Sequence, residues 1–260
     1  MPFFQNKKGV KLYYATDGAG DAVVLLHSLP LDHRIWWNQV FALAPSFRTM
    51  ALDVRGFGLS EPGDDQRSIH ELSEDVFTLM ETERVEKAVI VGLSMGGSIA
   101  QQFAVDHPDS VKGLVLSGTF HSARTERLQK VFSNHAEGYG SSAPSDYFRS
   151  HVRLMFSEQG SEICKALLES YPERSVNFHN VVLLARALSE FRIDKERMTS
   201  IRVPTIVIAG EDDTALGSSR EIADLIPDAK FVKISGAAHL VNVEKPFEYN
   251  VRMVEFLKEI

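Results

Sequence analysis

The sequence predicts an α/β fold: a mostly parallel central sheet with helices on both faces and a helical segment inserted ahead of the last strands. Three observations predict it. Continuous apolar runs such as Val23-Val24-Leu25-Leu26 alternate with amphipathic stretches in the first half of the chain, the pattern of strands covered on both faces and linked by helices. From about Phe120 to Met198 no four-residue β-branched run occurs. The alternation then returns at Thr205-Ile206-Val207-Ile208-Ala209, introduced by Pro204.

The elements follow in order. A strand is expected at 10–15, ended by the turn Gly18-Ala19-Gly20, with further strands at 23–26, 49–53, 88–92 and 113–117. Helices are expected between them at about 36–45, 69–83 and 96–106. Within the later segment, three sets of residues keep the three- and four-residue spacing of one helix face. They are Leu128, Val131, Phe132 and His135; Phe148, Val152, Met155 and Phe156; and Val181, Leu184, Leu188 and Phe191. The stretch from Gly138 to Pro144 breaks the segment internally. Strands at 205–209 and 230–234 and a helix from Pro246 complete the pattern. The domain organisation is therefore a core of residues 1–119 and 199–260 with a helical lid, 120–198, inserted in it.

Composition narrows the function. The 260 residues are 44% hydrophobic and 24% charged, enough to bury a sizeable core. A net charge of −7 with no basic stripe argues against a nucleic-acid partner, which needs clustered Lys and Arg. The single cysteine, Cys164, permits no disulfide within the chain and sits among Ile163, Ala166, Leu167 and Leu168 as a small hydrophobe. The N-terminus lacks the apolar stretch of a signal peptide, and no segment approaches the roughly 20 apolar residues of a membrane span. The expectation is a cytoplasmic protein with a small-molecule substrate, no membrane contact and an open oligomeric state.

The chemistry begins at Gly92-Leu93-Ser94-Met95-Gly96-Gly97, a G-x-S-x-G directly after an expected strand. A serine on a tight strand-to-helix turn projects its Oγ above the sheet, and the turn requires small neighbours. The following helix aims N–H groups at any negative charge that develops. Serine alone is a poor nucleophile near neutral pH and needs a base and an orienting acid. His239, in the small-residue loop Ser235-Gly236-Ala237-Ala238-His239, is of the nine histidines the one in such a loop downstream of Ser94. The acid belongs after the strand 205–209, where Gly210-Glu211-Asp212-Asp213 offers three carboxylates. Asp213 is preferred, because the turn must carry the acid past the strand end, and Asp212 is the runner-up. Two backbone N–H groups, of Met95 and of Leu29 in His27-Ser28-Leu29-Pro30, are expected to form an oxyanion hole. Phe120 and Leu240 are the expected walls of an apolar pocket. His27 reads as a brace for its loop, and Asp53 and Arg55 as a structural turn.

These four stretches, with Asp53-Val54-Arg55-Gly56-Phe57-Gly58-Leu59-Ser60, resemble the α/β-hydrolase superfamily over the whole chain. Within it, the segment from Gly236 to Asn250 is similar to that around the catalytic histidine of 3-oxoadipate enol-lactonases. The resemblance implies hydrolysis of a carboxylic ester or enol-lactone through an acyl-enzyme on Ser94, with Leu29 and Met95 as oxyanion donors and neither metal nor organic cofactor. Three departures stand out: Ser28 replaces the usual glycine, Thr214-Ala215-Leu216-Gly217 replaces prolines after the acid, and both tryptophans, Trp36 and Trp37, lie outside the lid. The competing functions are a C–C bond hydrolase of ring-fission products, a cofactor-free perhydrolase or haloperoxidase, and a ligand receptor that keeps the triad. Dehalogenase and epoxide hydrolase chemistry in this fold uses an aspartate where Ser94 stands. Arg124, Arg127, Arg149, Arg153 and Arg186 are candidates to receive a substrate carboxylate.

Overall fold

The computed structural model of the chain describes residues 2–65, 67–171 and 176–260. Strands β1 (Phe3–Gln5), β2 (Lys11–Asp17), β3 (Asp21–Leu26), β4 (Phe47–Leu52), β5 (Ala88–Leu93), β6 (Val111–Ser117), β7 (Thr205–Gly210) and β8 (Lys230–Ile234) form one sheet. Its order is β1-β2-β4-β3-β5-β6-β7-β8. Only β1 and β2 run antiparallel to their neighbours; the other pairings are parallel. Every residue of β5 and of β7 is buried, which is why both read as uninterrupted apolar runs.

The helices are α1 (Trp37–Leu43), α2 (Ile69–Thr82), α3 (Met95–Asp106), α4 (Glu126–Tyr139), α5 (Pro144–Leu154), α6 (Ser161–Ser170), α7 (Phe178–Glu190), α8 (Lys195–Met198), α9 (Leu216–Leu225), α10 (Val241–Glu244) and α11 (Pro246–Leu257). Helices α1, α10 and α11 pack together on one side of the sheet, while α2, α3, α8 and α9 form the layer on the other. Local chemistry starts two of them. Ser68 Oγ accepts from Glu71 N at the head of α2 (3.2 Å), and Pro246 opens α11 where its missing N–H costs nothing.

Between β6 and β7 the chain makes α4 to α8. The ends of this excursion are stitched together: Ala123 N donates to Phe191 O (3.0 Å) and Ile193 N to His121 O (2.8 Å), around the bridge Ser122–Arg192. Helix α4 packs on α5 and α7, and α5 on α6. Five elements are absent from the sequence expectation: the edge strand β1 and helices α6, α8, α9 and α10.

One buried ion pair ties the loop after β4 to α2. The Arg55 guanidinium bonds the Asp75 carboxylate, both almost fully buried, and Asn6 Nδ2 donates to Asp75 Oδ1 (2.8 Å). Removing one member of such a pair leaves an uncompensated buried charge. Asp75→Ala should therefore lower unfolding free energy by about 3–5 kcal/mol in urea titration; a loss below about 1 kcal/mol, typical of an exposed pair, would contradict this role.

Candidate active site

The turn from β5 into α3 is built around one strained residue. Ser94 has φ 55° and ψ −114°, a left-handed conformation that costs a non-glycine residue about 1–3 kcal/mol. The surroundings hold it. Ser94 N donates to Ser117 O (2.8 Å), and Ser94 O accepts from Thr119 Oγ1 (2.9 Å) and from Ser98 N (3.1 Å). The turn closes so tightly that a Cβ on Gly92 would overlap the Gly96 carbonyl, and one on Gly96 the Leu26 carbonyl. The two glycines of the motif are thus dictated by space.

The loop after β3 is locked against this turn. Gly96 N donates to His27 O (3.1 Å). Buried His27 accepts from Val54 N at Nε2 (3.0 Å), so its proton sits on Nδ1, which donates to Ser28 O (3.0 Å). Burial depresses the His27 pKa and keeps the ring neutral. Ser28, at the position where the likeness expects glycine, donates through Oγ to Leu29 O (3.1 Å) and so fixes the Leu29 peptide. The amides of Leu29 and Met95 have no hydrogen-bond acceptor on the protein among the described residues.

The Asp53 turn braces the same region. Asp53 Oδ1 accepts from His33 N (2.9 Å) and pairs with His33 Nδ1 (2.7 Å), while Oδ2 accepts from Leu59 N (2.9 Å). Asp32, beside it, is engaged by Arg34 and Tyr171.

Past the end of β7, the carboxylates separate by burial. Glu211 and Asp212 are exposed, whereas Asp213 is buried. Asp213 Oδ1 accepts from Ala215 N (2.8 Å) and meets His239 Nδ1 at 3.0 Å. A Cβ on Gly118, which has φ +52°, would come within 2.9 Å of Asp213 Oδ2 and 3.1 Å of the His239 ring. The chain after β6 therefore passes flat against this pair.

The His239 loop is tied from below and from the side. Asp212 N donates to Ala237 O (2.9 Å) and Ala238 N to buried Glu244 Oε2 (2.8 Å). The other Glu244 oxygen accepts from Ser157 N (3.1 Å), and Leu240 N donates to Met155 O (3.1 Å). The helical excursion is thus bonded directly to the histidine loop.

A cavity of about 550 Å³ lies over the carboxyl ends of the strands. Ser94, His239, Leu29 and Phe120 all line it, and Phe120 stacks its edge among Phe132 and Phe191 (centroids 5.5 and 5.9 Å). Leu240 is a correction. It does not line the cavity; its side chain is fully buried in the core, because the bond from its N–H to Met155 turns the chain inward. Of the five arginines, Arg127 borders the cavity. Arg149 and Arg153 border a separate one of about 480 Å³ near Cys164. His239 makes its side-chain hydrogen bond to Asp213, and none joins it to Ser94 Oγ among the described residues.

A sequence profile described as the alpha/beta hydrolase fold matches residues 21–246. The chain belongs to the α/β-hydrolase family. Among relatives of this α/β hydrolase is RutD of Azorhizobium caulinodans, provisionally named a carbamate hydrolase, 27% identical over 255 residues and 96% of each chain. 3-Oxoadipate enol-lactonase 1 of Acinetobacter baylyi is 25% identical over 98% of this chain and 96% of its own. The enol-lactonase structure from Burkholderia xenovorans LB400 superposes with TM-score 0.90 at 27% identity, covering 99% of this chain and 100% of that one. Proteins named as bromoperoxidases fall at comparable identity.

Electrostatics couples Asp213 to His239. Burial alone would raise the Asp213 carboxyl, but the charge and hydrogen bond of His239 outweigh it and hold the pKa below its ordinary value. Burial alone would lower the His239 pKa, and Asp213 reverses this and raises it. The histidine's share of the pair's stabilisation is present below 6.5 and lost as pH rises through the elevated value; the aspartate's is lost as pH falls through its depressed one. Imidazole NMR titration should place His239 above 6.5, bring it down in Asp213→Asn and leave it in place in Asp212→Asn. Equal behaviour of the two variants would contradict the assignment of the partner.

Proposed function

We propose that this α/β hydrolase is a serine hydrolase that cleaves a carboxylic ester or lactone through an acyl-enzyme on Ser94. The observation that carries the reading is the buried Asp213 carboxylate bonded to His239 Nδ1 beside the same cavity that Ser94 enters from its strained turn. With the Nδ1 proton donated to Asp213, the lone pair of His239 lies on Nε2, available to take the Ser94 hydroxyl proton. Ser94 Oγ then attacks the carbonyl carbon, and the oxygen that gains charge is stabilised by the amides of Leu29 and Met95 at the head of α3. Collapse of the tetrahedral intermediate breaks the carbon–oxygen bond, and His239 returns its proton to the leaving oxygen. Water repeats the sequence on the acyl-enzyme, restoring Ser94 and releasing the acid.

In this reading α4 to α7 act as a lid. Phe120, Phe132, Leu128 and Leu188 give the cavity an apolar wall, which suits an acyl chain and excludes water from the reacting carbonyl. The enol-lactonase relatives add weight to an ester or lactone bond, and the carbamate and bromoperoxidase names mark the alternatives that a substrate panel must include.

The decisive comparison is wild type against Ser94→Ala on p-nitrophenyl butyrate, with intact-mass detection after a serine-directed phosphonate. The variant should lose turnover by about 10⁴-fold or more together with the adduct, while keeping its circular dichroism spectrum. Retention of more than about a tenth of the wild-type rate would rule out Ser94 as nucleophile.

A further inference from the structure

The cavity wall opposite the sheet holds a polar island that the proposed reaction does not use. His135 of α4 and His151 of α5 both line the cavity that Ser94 and His239 share, with their rings stacked at 4.0 Å and 29°. Each ring is held by a tyrosine at Nδ1: Tyr139 OH with His151 Nδ1 (2.7 Å) and Tyr147 OH with His135 Nδ1 (3.0 Å). Tyr139 is buried and its hydroxyl has no other acceptor among the described residues, so its proton goes to His151 Nδ1. The ring proton of neutral His151 is thereby fixed on Nε2. Neither Nε2 has a protein partner among the described residues and neither is sealed from solvent, which leaves both for a ligand in the cavity that the two residues line.

We infer that His151, supported by His135, forms a subsite that donates Nε2–H to a neutral carbonyl oxygen on the substrate, remote from the scissile bond. The inference deepens the acyl-transfer reading and rests on it for the reaction, naming the substrate class as an ester or lactone that carries a second ketone or amide acceptor. A neutral acceptor is favoured over a carboxylate by the charges at hand. Burial, and then the neighbouring His239, pushes His135 down to about 4, and burial with the two nearby histidines takes His151 well below its ordinary range. Both imidazoles are uncharged, and His151 is a donor at Nε2. Of the other charged groups on the cavity, Arg127 is engaged with Thr214 O, and Glu221, an anion, pairs with Lys195 and His121. A buried donor built to meet an oxygen discriminates against substrates that lack one.

The test uses matched esters. On the acyl side these are p-nitrophenyl hexanoate, its 5-oxohexanoate and the mono-p-nitrophenyl ester of adipate; on the alcohol side, pentyl and 4-oxopentyl butyrate. Wild type should prefer the keto ester over its plain partner by about tenfold in kcat/KM in one of the two series. His151→Phe, which keeps the ring volume, should bring that ratio to about one, and Tyr139→Phe, which releases the tautomer, should lower it; a purely structural role would slow both esters in proportion and leave the ratio intact. Should His151→Phe fail to fold, Tyr139→Phe alone carries the comparison. A ratio near one for wild type in both series, an unchanged ratio in the variants, or faster turnover of the adipate ester than of the keto ester would overturn the inference. A second readout does not need turnover. In Ser94→Ala, ¹⁵N-histidine spectra should show His151 protonated at Nε2 and shifted by methyl 5-oxohexanoate or 4-oxopentyl butyrate but not by methyl hexanoate. No shift with either keto ligand overturns the subsite, whereas failure of the phosphonate to label Ser94 in wild type overturns only the reaction.

Discussion

Everything in the site depends on one backbone constraint, the left-handed conformation of Ser94 at the end of a fully buried strand. A chain leaving β5 and entering α3 within one residue must turn where a side chain is disfavoured, so the neighbouring peptides have to compensate. They do so through Ser117 O, Thr119 Oγ1 and Ser98 N around the Ser94 peptide. The same turn brings Gly96 N onto His27 O, which fixes the loop carrying Leu29. One strained residue therefore sets the position of Ser94 and, through the Gly96–His27 bond, of the loop that carries Leu29.

The second requirement is a charge pair assembled from three strand ends. Asp213 follows β7, His239 follows β8, and Gly118 after β6 lets the chain pass against both. In the low-dielectric interior an isolated carboxylate would take up a proton; the His239 contact prevents it. Glu244 then connects the histidine loop to Ser157 of the helical excursion. The geometry of the His239 loop and the seating of α5 and α6 are consequently linked through a single buried side chain.

Much of this was legible in the sequence because the informative residues are local. The buried runs of β3, β5 and β7 cannot be mistaken when both faces are covered, and the motif around Ser94 follows directly from one of them. Asp213 could be preferred over Asp212 because passing a strand end takes residues, and burial separates the two. What was not legible depends on packing. Strand β1 has three residues and no period of its own, and exists by pairing with β2. Helix α6 buries only Cys164 and Leu168, too thin a stripe to read. Leu240 looked like a pocket wall from its place beside His239, but a hydrogen bond to Met155 from another segment turns it inward. His135 was counted as part of a helix face, and His151 gave no signal, since their shared chemistry exists only where α4 meets α5.

The most direct test of the account is to trap the covalent intermediate. In wild type mixed with excess p-nitrophenyl butyrate, rapid acid quench during turnover and peptide mapping should show one butyryl group, carried by the peptide that contains Ser94, while His239→Ala, which lacks the base for both acylation and deacylation, should lose turnover. A butyryl group on another residue, or hydrolysis without any acylated peptide in wild type or variant under the same quench, would contradict an acyl-enzyme on Ser94.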